Sequence, residues 1–282
     1  MLKVENLCKA YPSFQLKNVS FEIPEGVIVG FIGQNGAGKT TTLKCIMQSV
    51  LPDGGKITAF GMDIKENETK CKQLISFSSG AFEYYRNKKL QLIADVYKTF
   101  YDNWNQEAFN GYVAKFNLDL NKRVKELSAG MKVKFALSLA MSHDAKLFIF
   151  DEPTSGLDPI ARDELLDVFR DIVDEGDKSI LFSTHITSDL DKCADYVLFI
   201  KDGRIILNEA KDTLLDSHAL VKGGTDELTD DLTSRLVSYK RYQFGYTALI
   251  RRENIKSSDK FETEKPTLDD IMIYYSKENN NA

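Results

Sequence analysis

The sequence predicts an α/β protein: a largely parallel sheet with a glycine-rich loop, a helical subdomain set into it, and a small C-terminal α+β appendage. Three observations carry this expectation. Short apolar runs alternate with helical patterns up to about Ala210, as strands and helices do around a parallel sheet. One of those runs leads directly into a glycine-rich loop and then into a helical pattern. Beyond Ala210 the composition turns charged and mixed.

The clearest strands are 27–32, 147–150, 180–183 and 196–200. The last is followed by Asp202-Gly203 and a second apolar run at 205–207, a hairpin pattern that makes this edge antiparallel. Residues from about 80 to 143 are rich in Tyr, Phe, Leu and Lys without strand-like runs and read as the helical subdomain. There Val133, Ala136, Leu137 and Ala140 follow helical spacing and predict one buried face. The expected division is therefore a core domain over 1–210 and an accessory region over 211–282, serving dimerisation or regulation. In that region Gly223-Gly224 predicts a turn. Thr267 with Asp270 has the form of a capping box, followed by Leu268, Ile271, Met272 and Tyr275 on one helix face.

Composition narrows the function classes. A length of 282 residues suits one large domain plus an appendage, and 43% hydrophobic residues exclude wholesale disorder. With 37 basic against 42 acidic side chains the net charge is -5, which argues against a protein that coats nucleic acid. The longest apolar runs fall far short of the ~20 residues that span a bilayer. Met1-Leu2-Lys3-Val4-Glu5-Asn6 places charges where a secretory leader needs an apolar stretch. Cys8, Cys45, Cys71 and Cys193 have no zinc or redox spacing, so the expectation is a reduced, cytosolic chain.

Gly33-Gln34-Asn35-Gly36-Ala37-Gly38-Lys39-Thr40 fits G-x-x-x-x-G-K-[ST] without a mismatch, between an apolar strand and a helix expected over 41–48. Gly33, Gly36 and Gly38 let backbone N–H groups of the loop, those of Asn35 and Ala37 included, turn toward phosphate oxygens. The helix start at Thr41 adds its partial positive charge to the same anion. Lys39 is placed to neutralise β/γ-phosphate charge and the Thr40 hydroxyl to ligate Mg²⁺, which makes ATP and Mg²⁺ the expected ligands. Further on, Leu147-Phe148-Ile149-Phe150-Asp151-Glu152 is an apolar strand ending in two carboxylates. Beside a phosphate loop, Asp151 reads as a Mg²⁺ holder and Glu152 as the base that polarises the attacking water; alone, the pair reads as solvated carboxylates.

With these and three later motifs in order, the chain resembles the nucleotide-binding subunits of ABC (ATP-binding cassette) transporters over nearly all of 1–210. Leu127-Ser128-Ala129-Gly130-Met131 resembles the ABC signature, Ser155-Gly156-Leu157-Asp158 the D-loop, and Ser183-Thr184-His185 the switch histidine. Tyr11 stands where the family places an aromatic residue stacked on adenine. The resemblance implies a P-loop NTPase core of ABC type. It also implies ATP hydrolysis with His185 at the γ-phosphate, and a second nucleotide-binding subunit whose Ser128 and Gly130 contact the nucleotide in trans. Each residue has a plainer reading: Ser128 as a helix N-cap, His185 as a structural histidine, Tyr11 as a core residue. Two departures stand out. Ala129 and Met131 replace the usual glycine and glutamine of the signature, a tolerable change that keeps the hydroxyl and backbone donors. The family also places a glutamine after the strand at 75–79, yet Ser78-Ser79-Gly80-Ala81-Phe82-Glu83 has none. Gln73 comes before that strand, and Glu83 is a candidate only by its place.

Thr99-Phe100-Tyr101-Asp102-Asn103-Trp104-Asn105 and Pro266-Thr267-Leu268-Asp269-Asp270-Ile271-Met272 are similar to a bacterial subgroup of single-domain ABC ATPases associated with export of peptides or resistance to antimicrobial compounds. The resemblance then implies a separate transmembrane permease subunit, a place on the cytoplasmic face of the membrane, and homo- or heterodimerisation of the cassette. Phe82-Glu83-Tyr84-Tyr85-Arg86 sits where the family docks its membrane partner, or else belongs to the subdomain core. The alternative function is a soluble ABC-type ATPase acting on ribosomes or DNA. The single phosphate loop and the lack of a sustained heptad run speak against that alternative, and no nucleic-acid partner is expected.

Overall fold

The computed structural model describes residues 1–79, 85–174 and 176–277. The chain divides into two compact units, Met1–Asn208 and Glu209–Ala282. The first opens with β1 (Leu2–Tyr11), β2 (Phe14–Ile23), β3 (Ile28–Ile32), α1 (Lys39–Ile46), β4 (Gly54–Ala59), β5 (Met62–Asp63), α2 (Glu68–Leu74) and β6 (Ile75–Ser78). Three helices follow: α3 (Leu90–Tyr97), α4 (Gln106–Lys115) and α5 (Ala129–Ala140). The unit closes with β7 (Leu147–Asp151), α6 (Pro159–Val173), β8 (Ser179–Thr184), α7 (Thr187–Cys193), β9 (Tyr196–Lys201) and β10 (Arg204–Ala210).

Two sheets form here. A six-stranded sheet has the order β10-β9-β3-β8-β7-β6, and its β6, β7, β8, β3 and β9 run parallel. A two-residue connection cannot reverse into a parallel strand, so β10 folds back on β9 through Asp202-Gly203, both in the left-handed region (φ 48 and 73). The second sheet, β2-β1-β4-β5, is antiparallel. Period-2 alternation assigns the faces of the central strands. Leu147, Ile149 and Leu181 join the core shared with β1, β2, β4 and α1, while Phe148, Phe150, Ile180 and Phe182 pack with α5 and α6 on the other face. Both faces are therefore apolar, as a covered parallel sheet requires.

Helix α5 departs from the single buried face its spacing predicts. Val133, Leu137 and Ala140 pack toward α6, and Phe135 and Leu139 toward α3 and α4, so the helix is clamped between two cores. Tyr97, Tyr101 and His143 form a ring stack nearby, with Tyr101 and His143 centroids 3.7 Å apart. Gln73 lies in α2 and acts structurally: its side chain donates to the Phe100 carbonyl at 2.7 Å and accepts from the Asp102 N–H at 3.1 Å.

The second unit holds α8 (Lys211–Asp216), β11 (His218–Gly223), α9 (Asp230–Arg235), β12 (Leu236–Arg241), β13 (Tyr246–Arg251), β14 (Glu262–Glu264) and α10 (Leu268–Ser276). Its antiparallel sheet has the order β12-β13-β11-β14. The capping box forms, with the Thr267 hydroxyl accepting from the Asp270 N–H at 3.1 Å and the Asp270 carboxylate accepting from the Thr267 N–H at 3.0 Å. Leu268, Ile271 and Met272 are buried as their spacing predicts, but the fourth buried residue is Tyr274. Tyr275 turns to His218 instead, its hydroxyl 2.9 Å from Nε2.

Candidate active site

Three adjacent parallel strands, β3, β8 and β7, end side by side; the register pairs Ile32 with Thr184 and Asp151 with Ser183. Ligand chemistry in parallel sheets gathers at these carboxyl ends. Gly33 leaves β3 so close to its neighbour that a Cβ there would lie 2.5 Å from the Ile200 carbonyl oxygen. Gly38 (φ 117) turns the loop into α1, and a Cβ there would lie 2.6 Å from Leu16 and 2.8 Å from Phe14. Helix α1 accordingly starts at Lys39, two residues before the expected start at Thr41, because the turn at Gly38 is already its N-cap. Thr41 thus lies within the first turn. Gln34, Asn35 and Gly36 are exposed at the loop crest, while Ala37 and Gly38 are buried.

Lys39 is 4% exposed. Its ammonium donates to the Gly33 carbonyl at 2.7 Å and lies 3.2 Å from Glu152 Oε1. The other carboxylate oxygen of Glu152 is 2.8 Å from His185 Nδ1. Lysine, glutamate and histidine thus meet in one chain of contacts, although 113 and 33 residues separate them in sequence. Glu152 holds a left-handed backbone (φ 53), and its N–H is accepted by the Ser183 hydroxyl at 2.9 Å. That conformation is uncommon outside glycine, asparagine and aspartate, and a charged residue that holds it beside a phosphate loop is a candidate for function.

Asp151 is fixed from two sides. Thr40 Oγ1 donates to Oδ2 at 2.8 Å, and Ser183 Oγ donates to Oδ1 at 2.6 Å. A hydroxyl and a carboxylate in contact are hard oxygen donors of the kind Mg²⁺ takes, and waters with nucleotide phosphates would complete its shell. Among the described residues no cluster of three or more His, Cys, Asp or Glu is arranged to hold a metal by itself. Sequence reasoning placed Ser183 in the switch-histidine motif but gave it no role. Its one signal is a polar side chain interrupting the apolar run Ile180-Leu181-Phe182.

The remaining site residues lie apart. Tyr11 ends β1 with its ring 42% exposed, so it is not a core tyrosine. Asp53 secures that strand end, accepting from Lys9 Nζ at 2.8 Å and the Ala10 N–H at 2.7 Å, and the lysine holds the Asp53 carboxyl below the usual range. Ser128 is the N-cap of α5, its hydroxyl accepting from the Met131 N–H at 3.2 Å. The helix therefore opens at Ala129, with Gly130 inside its first turn. A Cβ on Gly130 would meet only Ala161 and Leu157, at 3.4 and 3.9 Å, so this helix start packs beside the start of α6. Asp158 caps α6, accepting from the Ile160 and Ala161 N–H groups at 3.0 Å each. Glu83, and Phe82, Glu83 and Tyr84 of the expected docking stretch, lie outside the described residues; Tyr85 of that stretch is exposed.

A glycine loop, a buried lysine at a helix start and a strand-end carboxylate pair together define a P-loop nucleotide-hydrolysing domain. The comparisons place it more closely. The ABC transporter family model matches residues 16–155. The ABC transporter ATP-binding protein YtrB of Bacillus subtilis (strain 168) is 32% identical over 206 residues, covering 73% of this chain and 70% of YtrB. The lantibiotic transport ATP-binding protein SrtF of Streptococcus pyogenes is 33% identical over 218 residues, covering 75% and 92%. A solved ATP-binding subunit of an ABC transporter superposes with TM-score 0.68 at 26% identity, covering 77% of this chain and 92% of that one. The chain belongs to the ATP-binding proteins of ABC transporters, a family that hydrolyses ATP to drive transport.

Proposed function

We propose that this chain binds Mg²⁺–ATP at the Gly33–Thr40 loop and hydrolyses it with Glu152 as general base, between two cassettes that close on the nucleotide. The observation that carries the reading is the contact chain Lys39–Glu152–His185 beside the Thr40–Asp151 pair. Lys39 and the loop N–H groups bind the β- and γ-phosphates; Tyr11 offers its ring to the adenine. Mg²⁺, held by Thr40 and Asp151, supplies charge neutralisation on the phosphates. Water attacks the γ-phosphorus and gives its proton to the Glu152 carboxylate; the bond to the β-phosphate oxygen breaks and ADP leaves. His185, hydrogen-bonded to Glu152, orients that carboxylate and contacts the γ-phosphate.

Ser128 and Gly130 stand on a helix start beside the start of α6, an anion-binding end that in this reading acts on the nucleotide of a second subunit. Its hydrolysis then removes the contacts that join the two copies. A separate membrane permease completes the transporter and holds the chain at the cytoplasmic face. For its docking we favour an apolar groove of about 350 Å³ lined by Tyr85, Leu92, Ile93, Val96 and Phe100. No described helix is long and apolar enough to cross a membrane. Export of peptides or antimicrobial compounds is the favoured cargo direction, since relatives such as SrtF are named for lantibiotic transport. Such names also support transport over an action on ribosomes or DNA.

The test is Glu152→Gln. It is expected to keep ATP binding, to lower turnover roughly 10²–10⁴-fold, and to sediment as a dimer with ATP and a monomer without it. Turnover near the parent rate, or sedimentation indifferent to ATP, overturns the reading.

A further inference from the structure

Directly behind the reacting groups lies a polar cluster that the hydrolysis scheme does not use. Asp189, in the first turn of α7, is wholly buried. Its Oδ2 accepts from Thr154 Oγ1 at 2.7 Å and from Thr184 Oγ1 at 3.0 Å, and its Oδ1 accepts from Arg162 Nε. The Thr184 hydroxyl accepts in turn from the Ile186 N–H at 3.0 Å, and an outer nitrogen of Arg162 donates to Ser188 Oγ at 2.8 Å. Thr184 and Ile186 are the two neighbours of His185 in the chain, and Thr154 follows Glu152 by two residues. Arg162 sits in the first turn of α6, next to Ala161, the residue nearest to Gly130 of the signature.

A carboxylate is costly to bury unless a cation and hydrogen-bond donors surround it, and an apolar side chain would fill the same space without that cost. Asp189 has one cation and two hydroxyl donors, drawn from three segments. What the ionised group supplies and an apolar one would not is a fixed orientation of those segments relative to one another. Two of them carry Glu152 and His185.

We infer that Asp189 is a positioning residue for ATP hydrolysis. Through Thr184 it fixes the main chain on both sides of His185, and through Thr154 and Arg162 it fixes the turn after Glu152 and the start of α6, so the 2.8 Å contact between His185 and Glu152 is set from behind. This rests on the roles proposed above for Glu152 and His185. None of the four residues touches the phosphate loop through these bonds, so nucleotide affinity is left to Lys39 and its neighbours.

The experiment measures kcat and KM for ATP hydrolysis by the full chain, with calorimetric ATP titration and a thermal melt for each variant. Asp189→Asn is expected to lower kcat about 10- to 100-fold, as sub-ångström misplacement of reacting groups does, with KM and ATP affinity within about twofold. The double variant Asp189→Asn/His185→Ala is expected to be no slower than His185→Ala alone, because both act through one contact. Thr184→Val is expected to lower kcat about 10-fold, and Thr184→Ser to restore it; this pair decides the matter if Asp189→Asn does not melt cooperatively. If His185→Ala is slow while Asp189→Asn and Thr184→Val turn over at the parent rate, the positioning role falls alone. Losses that multiply in the double variant overturn it too. If His185→Ala itself keeps the parent rate, the reading beneath falls with it.

Discussion

Replacing Ser183 with alanine removes one hydroxyl that serves two parts of the site. The hydroxyl donates to Asp151 Oδ1 at 2.6 Å and accepts the Glu152 N–H at 2.9 Å, and Ser183 and Asp151 are both buried. A hydrogen bond to a charged group contributes about 1.5–3 kcal/mol. The second loss is smaller, because the Glu152 N–H keeps the Ser183 carbonyl at 3.2 Å. The net cost is therefore about 2 kcal/mol. In a unit the size of Met1–Asn208 each kcal/mol moves the midpoint by ~2–4 °C, so scanning calorimetry should find that unit's transition lowered by ~4–8 °C. Activity supplies the second readout. Among the described residues Asp151 then keeps Thr40 as its side-chain donor, and loss of such an outer partner weakens metal binding ~10-fold or more. The Mg²⁺ concentration for half-maximal ATPase activity should rise accordingly. A midpoint lowered by less than about 1 °C, where ~4–8 °C is expected, together with an unchanged Mg²⁺ requirement, would refute the assignment of Ser183 as the brace of the strand-end pair.

Lys39→Ala should weaken ATP binding by about 30-fold or more, since truncating one member of a buried charge pair costs about 2–5 kcal/mol; an unchanged calorimetric Kd would count against its role. His143 gives a pH effect of defined sign. Burial pushes its imidazole down to about 4, below the 6.5 of the unfolded chain. The unfolded state therefore takes up the proton first, and the stability this neutral ring contributes is full above pH 6.5 and lost as pH falls toward 4. His143→Phe keeps a ring against Tyr101 and should flatten the fall in melting temperature between pH 7 and 5. Parallel pH profiles for the parent and the variant would exclude His143 as the group responsible.

The parts of the site that could be read from the sequence are those whose geometry is local. The phosphate loop is one contiguous turn between a strand and a helix, and Asp151-Glu152 ends an apolar run, so spacing alone reveals both. What spacing missed is carried by long-range contacts: Ser183 meets Asp151 across 32 residues and Asp189 meets Thr154 across 35. The start of α1 was misplaced for a physical reason. Gly38 caps with a left-handed turn, which lets the helix begin directly after it. The β1–β2–β4–β5 sheet escaped notice although Val19-Ser20-Phe21-Glu22-Ile23 alternates, because irregularities between Val4 and Lys9 break the same period in β1.

The left-handed backbone of Glu152 sets an unusual condition on natural or engineered variation at this position. Glycine is the residue that such a φ suits best, and relief of the strain would be worth on the order of 1 kcal/mol. That gain falls short of what Glu152→Gly would cost, because the exchange leaves the buried Lys39 ammonium without its carboxylate partner at 3.2 Å, a loss of about 2–5 kcal/mol. Thermostability and turnover therefore retain the same side chain at this residue, and a library selected on folding alone should keep the carboxylate there in spite of its backbone.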